Sequence, residues 1–249
     1  MQIKTYKTCL VSVDNNIYEL LDTYVPPLQE KEILVITSKI ISILEGRVIS
    51  QNEVPSKIEL IKQEADAYLN LPGETTLTIK DKLLIPAAGI DESNGKGIYI
   101  LYPKDVQKSA KEIWSYLRKR DQRKDIGVLI TDSHTTPLRR GVIGVGLGWC
   151  GFEPLYNYIG KPDCYQDLLE VTQTNLVDAL SASAVLCMGE GDEQTPLALI
   201  KDAPKVNFLD SPPTPEEIAN FHLKMEQDLY GPLLKNAAWV FKKNSKQNG

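Results

Sequence analysis

Apolar residues along this chain recur with two spacings, and the alternation between them predicts its elements. Short apolar runs, Ile33-Leu34-Val35-Ile36, Leu83-Leu84-Ile85 and Ile126-Gly127-Val128-Leu129-Ile130, predict buried strands. The glycine-rich run 142–149 predicts a further strand whose glycines let a neighbouring backbone approach. Helical spacing appears over 57–69, where Ile58, Ile61, Ala65 and Leu69 share a face, over 110–120, and over 168–186, where Leu169, Leu176, Leu180 and Ala184 form a stripe. Thr214-Pro215-Glu216-Glu217 is a capping box with proline at the first helical position. It predicts a last helix from about 214 carrying Ile218, Phe221, Met225 and Leu229 on one face. The Pro-rich 210–215 reads as a linker into it, and 244–249 as a loose tail. Strands and helices interleave irregularly, so the expected class is mixed α/β. Gly141, Gly144, Gly146 and Gly148 do not form G-x-G-x-x-G opening a helix, which argues against a dinucleotide-binding fold.

Three elements discharge into polar clusters. The run ending at Ile130 is followed by Thr131-Asp132-Ser133 and then by Leu138-Arg139-Arg140-Gly141, which puts Asp132 at an expected strand end. A carboxylate and a hydroxyl near paired guanidinium groups suit a metal-bound phosphate, because hard cations take oxygen ligands and arginine forks match phosphate oxygens. The same string also fits a surface turn held by ion pairs. On an extended segment Arg139 and Arg140 would point to opposite faces, so only one would reach a phosphate. Leu83-Leu84-Ile85-Pro86-Ala87-Ala88-Gly89 leads to Asp91-Glu92-Ser93-Asn94, a second expected strand-end carboxylate. The helical stretch ending at Met188 stops at Gly189 and is followed by Glu190, Asp192 and Glu193. Acids at a helix C-terminus oppose the macrodipole and call for a compensating cation.

Composition narrows the field. A chain of 249 residues with 42% hydrophobic content can bury a large core, as one domain over 1–249 or with a lobe boundary near 120–126. A net charge of -5 gives no nucleic-acid footprint, and the basic run Arg118-Lys119-Arg120 reads as a solvated helix end. Cys9, Cys150, Cys164 and Cys187 form no C-x-x-C pair, and no signal peptide is visible, so reduced thiols and a cytoplasmic location are expected. His134 and His222 lack the partner spacing of a zinc site. No apolar stretch is long enough for a membrane span, and no phosphate-binding G-x-x-x-x-G-K-[ST] string occurs.

The chain resembles the coenzyme F-420 gamma-glutamyl ligase (CofE-like) family, including relatives assigned to folate metabolism. The resemblance rests on Ile36-Thr37-Ser38-Lys39-Ile40-Ile41-Ser42 with Glu45-Gly46-Arg47, Gly89-Ile90-Asp91-Glu92-Ser93-Asn94, Ile130-Thr131-Asp132-Ser133 with Leu138-Arg139-Arg140-Gly141-Val142-Ile143-Gly144, and Met188-Gly189-Glu190-Gly191. It implies a two-lobed α/β fold and an intertwined homodimer. The implied activity is ATP- or GTP-driven attachment of L-glutamate to a carboxylate acceptor, an F-420 precursor or a folate-like compound. Mg or Mn, and possibly K, are implied as cofactors. By the resemblance, Asp91, Asp132, Ser133 and Glu190 are the metal ligands. Ser38, Lys39, Asn94 and the loop of Met188, Gly189, Glu190, Gly191 and Asp192 take the nucleotide. Asp132 with the aligned pair Arg139 and Arg140 makes up the catalytic set, the phosphate role of the arginines being inferred from their chemistry.

The chain departs from the family pattern in four places. Ser133 stands where threonine is common, Ile43 where a nucleotide-contacting lysine is expected, and Lys7-Thr8-Cys9-Leu10-Val11-Ser12 where a Gly-Leu-Pro segment is usual. Asp132-Ser133-His134-Thr135-Thr136-Pro137 replaces the commoner Asp-Thr-x-Gly-Arg, which leaves the acceptor more open than the reaction class. Two other readings remain: a nucleotide- or metabolite-binding relative without turnover, and a metal-dependent hydrolase.

Overall fold

The computed structural model describes residues 1–71 and 76–242, so the expected tail lies outside the described residues. The elements begin with β1 (Gln2–Tyr6), α1 (Ile17–Tyr24), β2 (Ile33–Thr37), α2 (Ser38–Leu44) and β3 (Val48–Ser50). Next come α3 (Lys57–Glu64), β4 (Ala67–Tyr68), β5 (Leu77–Lys80), β6 (Leu83–Pro86) and β7 (Ile98–Ile100). They are followed by α4 (Val106–Asp121), β8 (Gly127–Thr135), β9 (Val142–Cys150), β10 (Leu155–Asn157) and β11 (Gln173–Asn175). The last are α5 (Leu176–Met188), β12 (Leu197–Lys201), α6 (Pro215–Phe221), α7 (Gly231–Asn236) and β13 (Val240–Phe241). The class is mixed α/β, as the interleaving predicts.

Two compact units result. The first comprises 1–45 and 103–217, the second 46–102 and 218–249. Residues 120–126, the expected lobe boundary, lie inside the first unit and join α4 to β8.

The first unit is built on a five-stranded sheet in the order β1-β12-β2-β8-β9. β2 and β8 run parallel and the other neighbours antiparallel. Ile33, Leu34, Val35 and Ile36 are all fully buried, which explains a continuous apolar run in place of an alternating one. Alternation returns in the packing. Leu34, Ile36, Val128, Ile130, Leu197 and Leu199 join one core with Leu20, Leu21, Ile41, Ile113, Trp114 and Leu117 of α1, α2 and α4. α5 packs against β8 and β9, where the glycines serve the predicted close approach. A Cβ on Gly144 would sit 2.6 Å from the Ser181 carbonyl carbon, and one on Gly146 3.2 Å from Ser181 Oγ.

The second unit has a sheet in the order β13-β4-β5-β6 and a β3-β7 ribbon. Its core gathers Leu60, Ile61, Ala65, Ala88, Ile90 and Leu101.

Several expected elements are corrected. The helix expected over 168–186 begins only at Leu176, because Gln173-Thr174-Asn175 pairs with Leu155-Tyr156-Asn157 and the Asn175 side chain then caps α5 through the Asp178 N–H at 3.0 Å. The helix expected over 57–69 ends at Glu64, and Ala67 and Tyr68 are drawn into β4 by pairing with Thr78 and Ile79. The Thr214 box forms, with Thr214 N–H on Glu217 at 2.6 Å and Glu217 N–H on Thr214 Oγ1 at 3.2 Å. The helix nevertheless stops at Phe221, which leaves Met225 and Leu229 outside it. The basic run at 118–120 is not simply solvated. Arg118 lies over the Trp114 ring at 4.5 Å, and Arg120 grips the buried Asp121 carboxylate at 2.7 Å while donating to the Leu21 and Pro26 carbonyls. All four cysteines are free thiols, and burial pushes Cys150 up to about 12. Among the described residues no helix is long and apolar enough to cross a membrane.

Candidate functional site

The register of the first unit brings distant segments to one end of its sheet. Thr37 pairs with Thr131 as the last matched residues of the parallel β2-β8 ladder. Beyond them Ser38-Lys39 opens α2 and Asp132-Ser133 continues β8. β12 runs antiparallel to β2 with Leu197 opposite Ile36, so the loop that enters β12 arrives at the same end, where Thr37 N–H donates to the Pro196 carbonyl at 3.0 Å. Ser38, Lys39, Asp132, Ser133 and the 188–195 loop thus gather at the carboxyl end of β2, where β8 runs on past it, the usual end for a ligand in an open α/β sheet.

Asp132 is not at the strand end that the sequence suggests. β8 continues to Thr135, with Asp132 opposite Val145 and Ser133 opposite Gly144. A register irregularity between Ile130 and Thr131 marks where β8 passes beyond β2. Thr131, fully buried, ties it by donating its hydroxyl to the Val145 carbonyl at 2.9 Å. Sequence reading passed over Thr131, although a hydroxyl at the end of an apolar run is a usable signal. Ser133 Oγ donates to the Glu190 carboxylate at 3.2 Å, which joins two of the predicted ligands across 57 positions.

Glu190 gets there by a sharp reversal. α5 ends at Met188 and Gly189 adopts φ 82° and ψ 170°, a conformation open essentially to glycine alone. The Glu193 carboxylate folds back beneath it and accepts the Gly191 N–H at 2.8 Å. The Thr195 hydroxyl donates to the Met188 carbonyl and closes the loop. Glu193 and Thr195 therefore shape the loop that presents Glu190, Gly191 and Asp192. The N-terminal segment bears on it too, through Thr8 N–H to the Gln194 carbonyl at 3.0 Å.

Arg139 and Arg140 behave otherwise. They lie in the turn between β8 and β9, both exposed, after Leu138 at φ 60°. The extended geometry expected to send them to opposite faces is absent, and the turn is held by Arg139 N–H on the Thr136 carbonyl at 3.3 Å. His134, beside Ser133, is half-buried. Burial holds its imidazole below the ordinary value, with Asp178 opposing that shift.

Asp91 and Asn94 belong to the second unit. Three left-handed residues, Ala87, Ala88 and Gly89 at φ 54°, 53° and 70°, intervene between β6 and Ile90, so Asp91 does not follow the strand directly. Such a conformation costs roughly 1–2 kcal/mol at each alanine. Asp91 exchanges backbone hydrogen bonds with Ile100 at 2.9 and 2.8 Å. Its carboxylate accepts the Ser93 N–H at 2.7 Å and the Ser93 hydroxyl at 3.0 Å. Asn94 follows at φ 58°, and Glu92 pairs with Lys57 at 2.9 Å. Among the described residues no three His, Cys, Asp or Glu side chains are already gathered around a metal-sized point.

Residues 7–202 match the family described as F420-0:Gamma-glutamyl ligase. The protein named Coenzyme F420:L-glutamate ligase of Methanococcus maripaludis strain S2 is 32% identical over 77% of this chain and 83% of its own length. Its namesake in Methanopyrus kandleri is 32% identical over 70% and 76%, and that of Methanocaldococcus jannaschii 32% over 76% and 81%. The matched span includes every residue placed at the sheet end and at the Asp91 turn, and the chain belongs to the F420-0:gamma-glutamyl ligase family.

Proposed function

We propose that this protein is a ligase that attaches L-glutamate through an amide bond to a carboxylate acceptor, an F-420 precursor or a folate-like acid, at the expense of ATP or GTP. The observation that carries the reading is the Ser133–Glu190 contact where β8 passes beyond the carboxyl end of β2, the end at which Ser38 and Lys39 open α2. Asp132, Ser133 and Glu190 offer only carboxylate and hydroxyl oxygens, and Asp91, the further ligand that the family resemblance implies, offers a carboxylate. That donor set fits Mg or Mn and disfavours softer metals. Bound there, a divalent ion would neutralise nucleotide phosphate charge. Lys39 and the two arginines supply further positive charge for the phosphates, and the 188–192 loop supplies hydrogen bonds to the nucleotide, a role the family resemblance also implies for Asn94. The acceptor carboxylate takes the terminal phosphoryl group to give an acyl phosphate and nucleoside diphosphate. The glutamate amine then displaces phosphate and loses a proton. Positioning and charge neutralisation carry such a transfer, so no covalent nucleophile is needed. A homodimer accords with the apolar side chains exposed at and near the β8-β9 turn, Leu138, Val142 and Ile143.

The test is to incubate the protein with ATP or GTP, Mn or Mg, glutamate and each acceptor, following phosphate release together with acceptor mass. Phosphate release that requires both glutamate and acceptor, with mass gain by glutamyl units, is the expected result. Release without either substrate would indicate a hydrolase, and nucleotide binding with no release a non-catalytic relative.

A further inference from the structure

The Asp91 segment is held by a residue far from it in the chain. Thr78, on β5, is fully buried, and its hydroxyl makes two bonds. It donates to the Ile85 carbonyl at the end of β6 and accepts the Ala88 N–H at 2.8 Å. Those two groups flank the point where the chain leaves its strand and turns left-handed through Ala87, Ala88 and Gly89. Apart from one internal bond, Ile90 N–H to the Ala87 carbonyl at 2.9 Å, the turn is tied from outside. Thr76 accepts the Ala87 N–H at 2.8 Å, the Ala88 methyl is buried against Leu60, Ile61 and Leu101, and the Tyr102 ring occupies the space a Gly89 Cβ would need. Two residues after Gly89 the chain reaches Asp91.

Alanine has no preference for this conformation, so the turn persists only while its surroundings over-determine it. Valine would fill the Thr78 site equally well by shape, which makes the two hydrogen bonds the specific contribution of threonine.

We propose that Thr78 is a positioning residue for Asp91: its hydroxyl locks the left-handed 87–89 turn and thereby fixes where the Asp91 carboxylate is presented to metal. The proposal rests on the reading of Asp91 as a metal ligand. Without the staple the turn relaxes toward ordinary backbone geometry, Ile90 and Asp91 lose their fixed entry, and the carboxylate samples orientations in which it is no ligand.

The experiment is a titration of the full chain with Mn2+, free ion being read by its electron paramagnetic resonance signal, for wild type, Thr78→Val, Thr78→Ser and Asp91→Asn. Loss of groups that orient a ligand commonly costs about 10- to 100-fold in metal affinity, so Thr78→Val is expected to bind Mn2+ at least about tenfold more weakly. Thr78→Ser, which keeps the hydroxyl, should stay within about threefold of wild type, well short of that range. A purely structural threonine would lower the melting temperature of Thr78→Val and leave Mn2+ affinity alone. That outcome, with Asp91→Asn weakened, overturns the proposal while sparing the role of Asp91. Unchanged affinity in Asp91→Asn would overturn both. If Thr78→Val fails to fold, Thr78→Ser against Thr78→Ala isolates the hydroxyl at equal loss of the methyl, and equal affinities in that pair would overturn the proposal.

Discussion

At the root of the β8-β9 hairpin Asp132 and Ser133 are fixed by the ladder to Val145 and Gly144, with α5 packed against the glycines behind them. At its tip, only a few residues on, Leu138, Arg139 and Arg140 stand exposed on a turn. In the sequence the acid, the hydroxyl and the two arginines form one string. In the structure they divide into groups whose positions are set by a packed sheet and groups whose positions are set by a turn of the backbone. Preorganised charge is worth most where nothing has to move to make it effective. On the proposed function the root would hold the metal-binding carboxylates, whereas the tip would carry cations that close on a phosphate once it has arrived.

The comparison is broken most severely at the root. On the proposed function Asp132→Asn removes a ligand charge with little change of volume. Loss of outer-shell partners alone costs about 10- to 100-fold, so the loss of a direct ligand should lower nucleotide-dependent turnover at least about a hundredfold, with the melting temperature close to wild type. Mn2+ affinity unchanged in that variant would remove Asp132 from the ligand set.

Next in size is the support behind the root. Gly144→Ala would drive a methyl into the Ser181 backbone of α5, which cannot swing aside as a side-chain end could. Overpacking of this kind costs about 1–3 kcal/mol, or roughly 2–12 °C in melting temperature for a domain of this size. A thermal scan of Gly144→Ala against Gly141→Ala separates packing from backbone strain, since nothing lies within 4 Å of a Gly141 Cβ although its φ is 90°. Gly144 has no positive φ, so its loss reports packing alone, and an undiminished melting temperature there would mean that α5 yields to the methyl.

The tip should respond differently. Exposed substitutions away from caps and cores stay within about 0.5 kcal/mol, so neither Arg139→Ala nor Arg140→Ala should change stability measurably. Both should raise the Michaelis constant for the nucleotide, and a rise that shrinks at high salt would identify the contribution as screened charge. A stability loss in either would place that arginine in a structural contact.

What the sequence disclosed follows the same division. Where burial or a glycine decides the local geometry the reading succeeded. The apolar runs at 33–36 and 126–130, the stop at Gly189 and the close approach at Gly144 and Gly146 are local consequences of burial and of glycine. The contact between Ser133 and Glu190 was legible only through family resemblance, because the register that joins β2, β8 and β12 is decided by long-range pairing. Helix ends at 64 and 176 were misplaced for the same reason, as neighbouring strands claimed residues whose spacing was helical. The left-handed turn before Asp91 was hidden by its alanines, which carry no mark of a positive φ, and Thr78 reads as an ordinary strand residue until its two partners are seen.

The smallest expected effect tests where root gives way to tip. His134 pairs with Ile143 at that boundary, and its Nδ1 is buried without a hydrogen-bond partner. Burial, opposed by Asp178, lowers its folded pKa below the ordinary 6.5. As pH falls through about 6.5 the unfolded chain therefore takes up a proton that the folded chain declines, and stability must drop with acid until the folded pKa is passed. Above that window both states are neutral at this residue and it contributes no pH dependence. His134→Gln removes the titration, whereas His222 and the carboxylates are common to both proteins and cancel in the comparison. The melting temperature of wild type should therefore fall relative to that of His134→Gln between about pH 7 and pH 5.5, with parallel curves from pH 7 to 8. Parallel curves throughout would mean that the hairpin is open to water at His134, moving the edge of the ordered root inward toward Ser133.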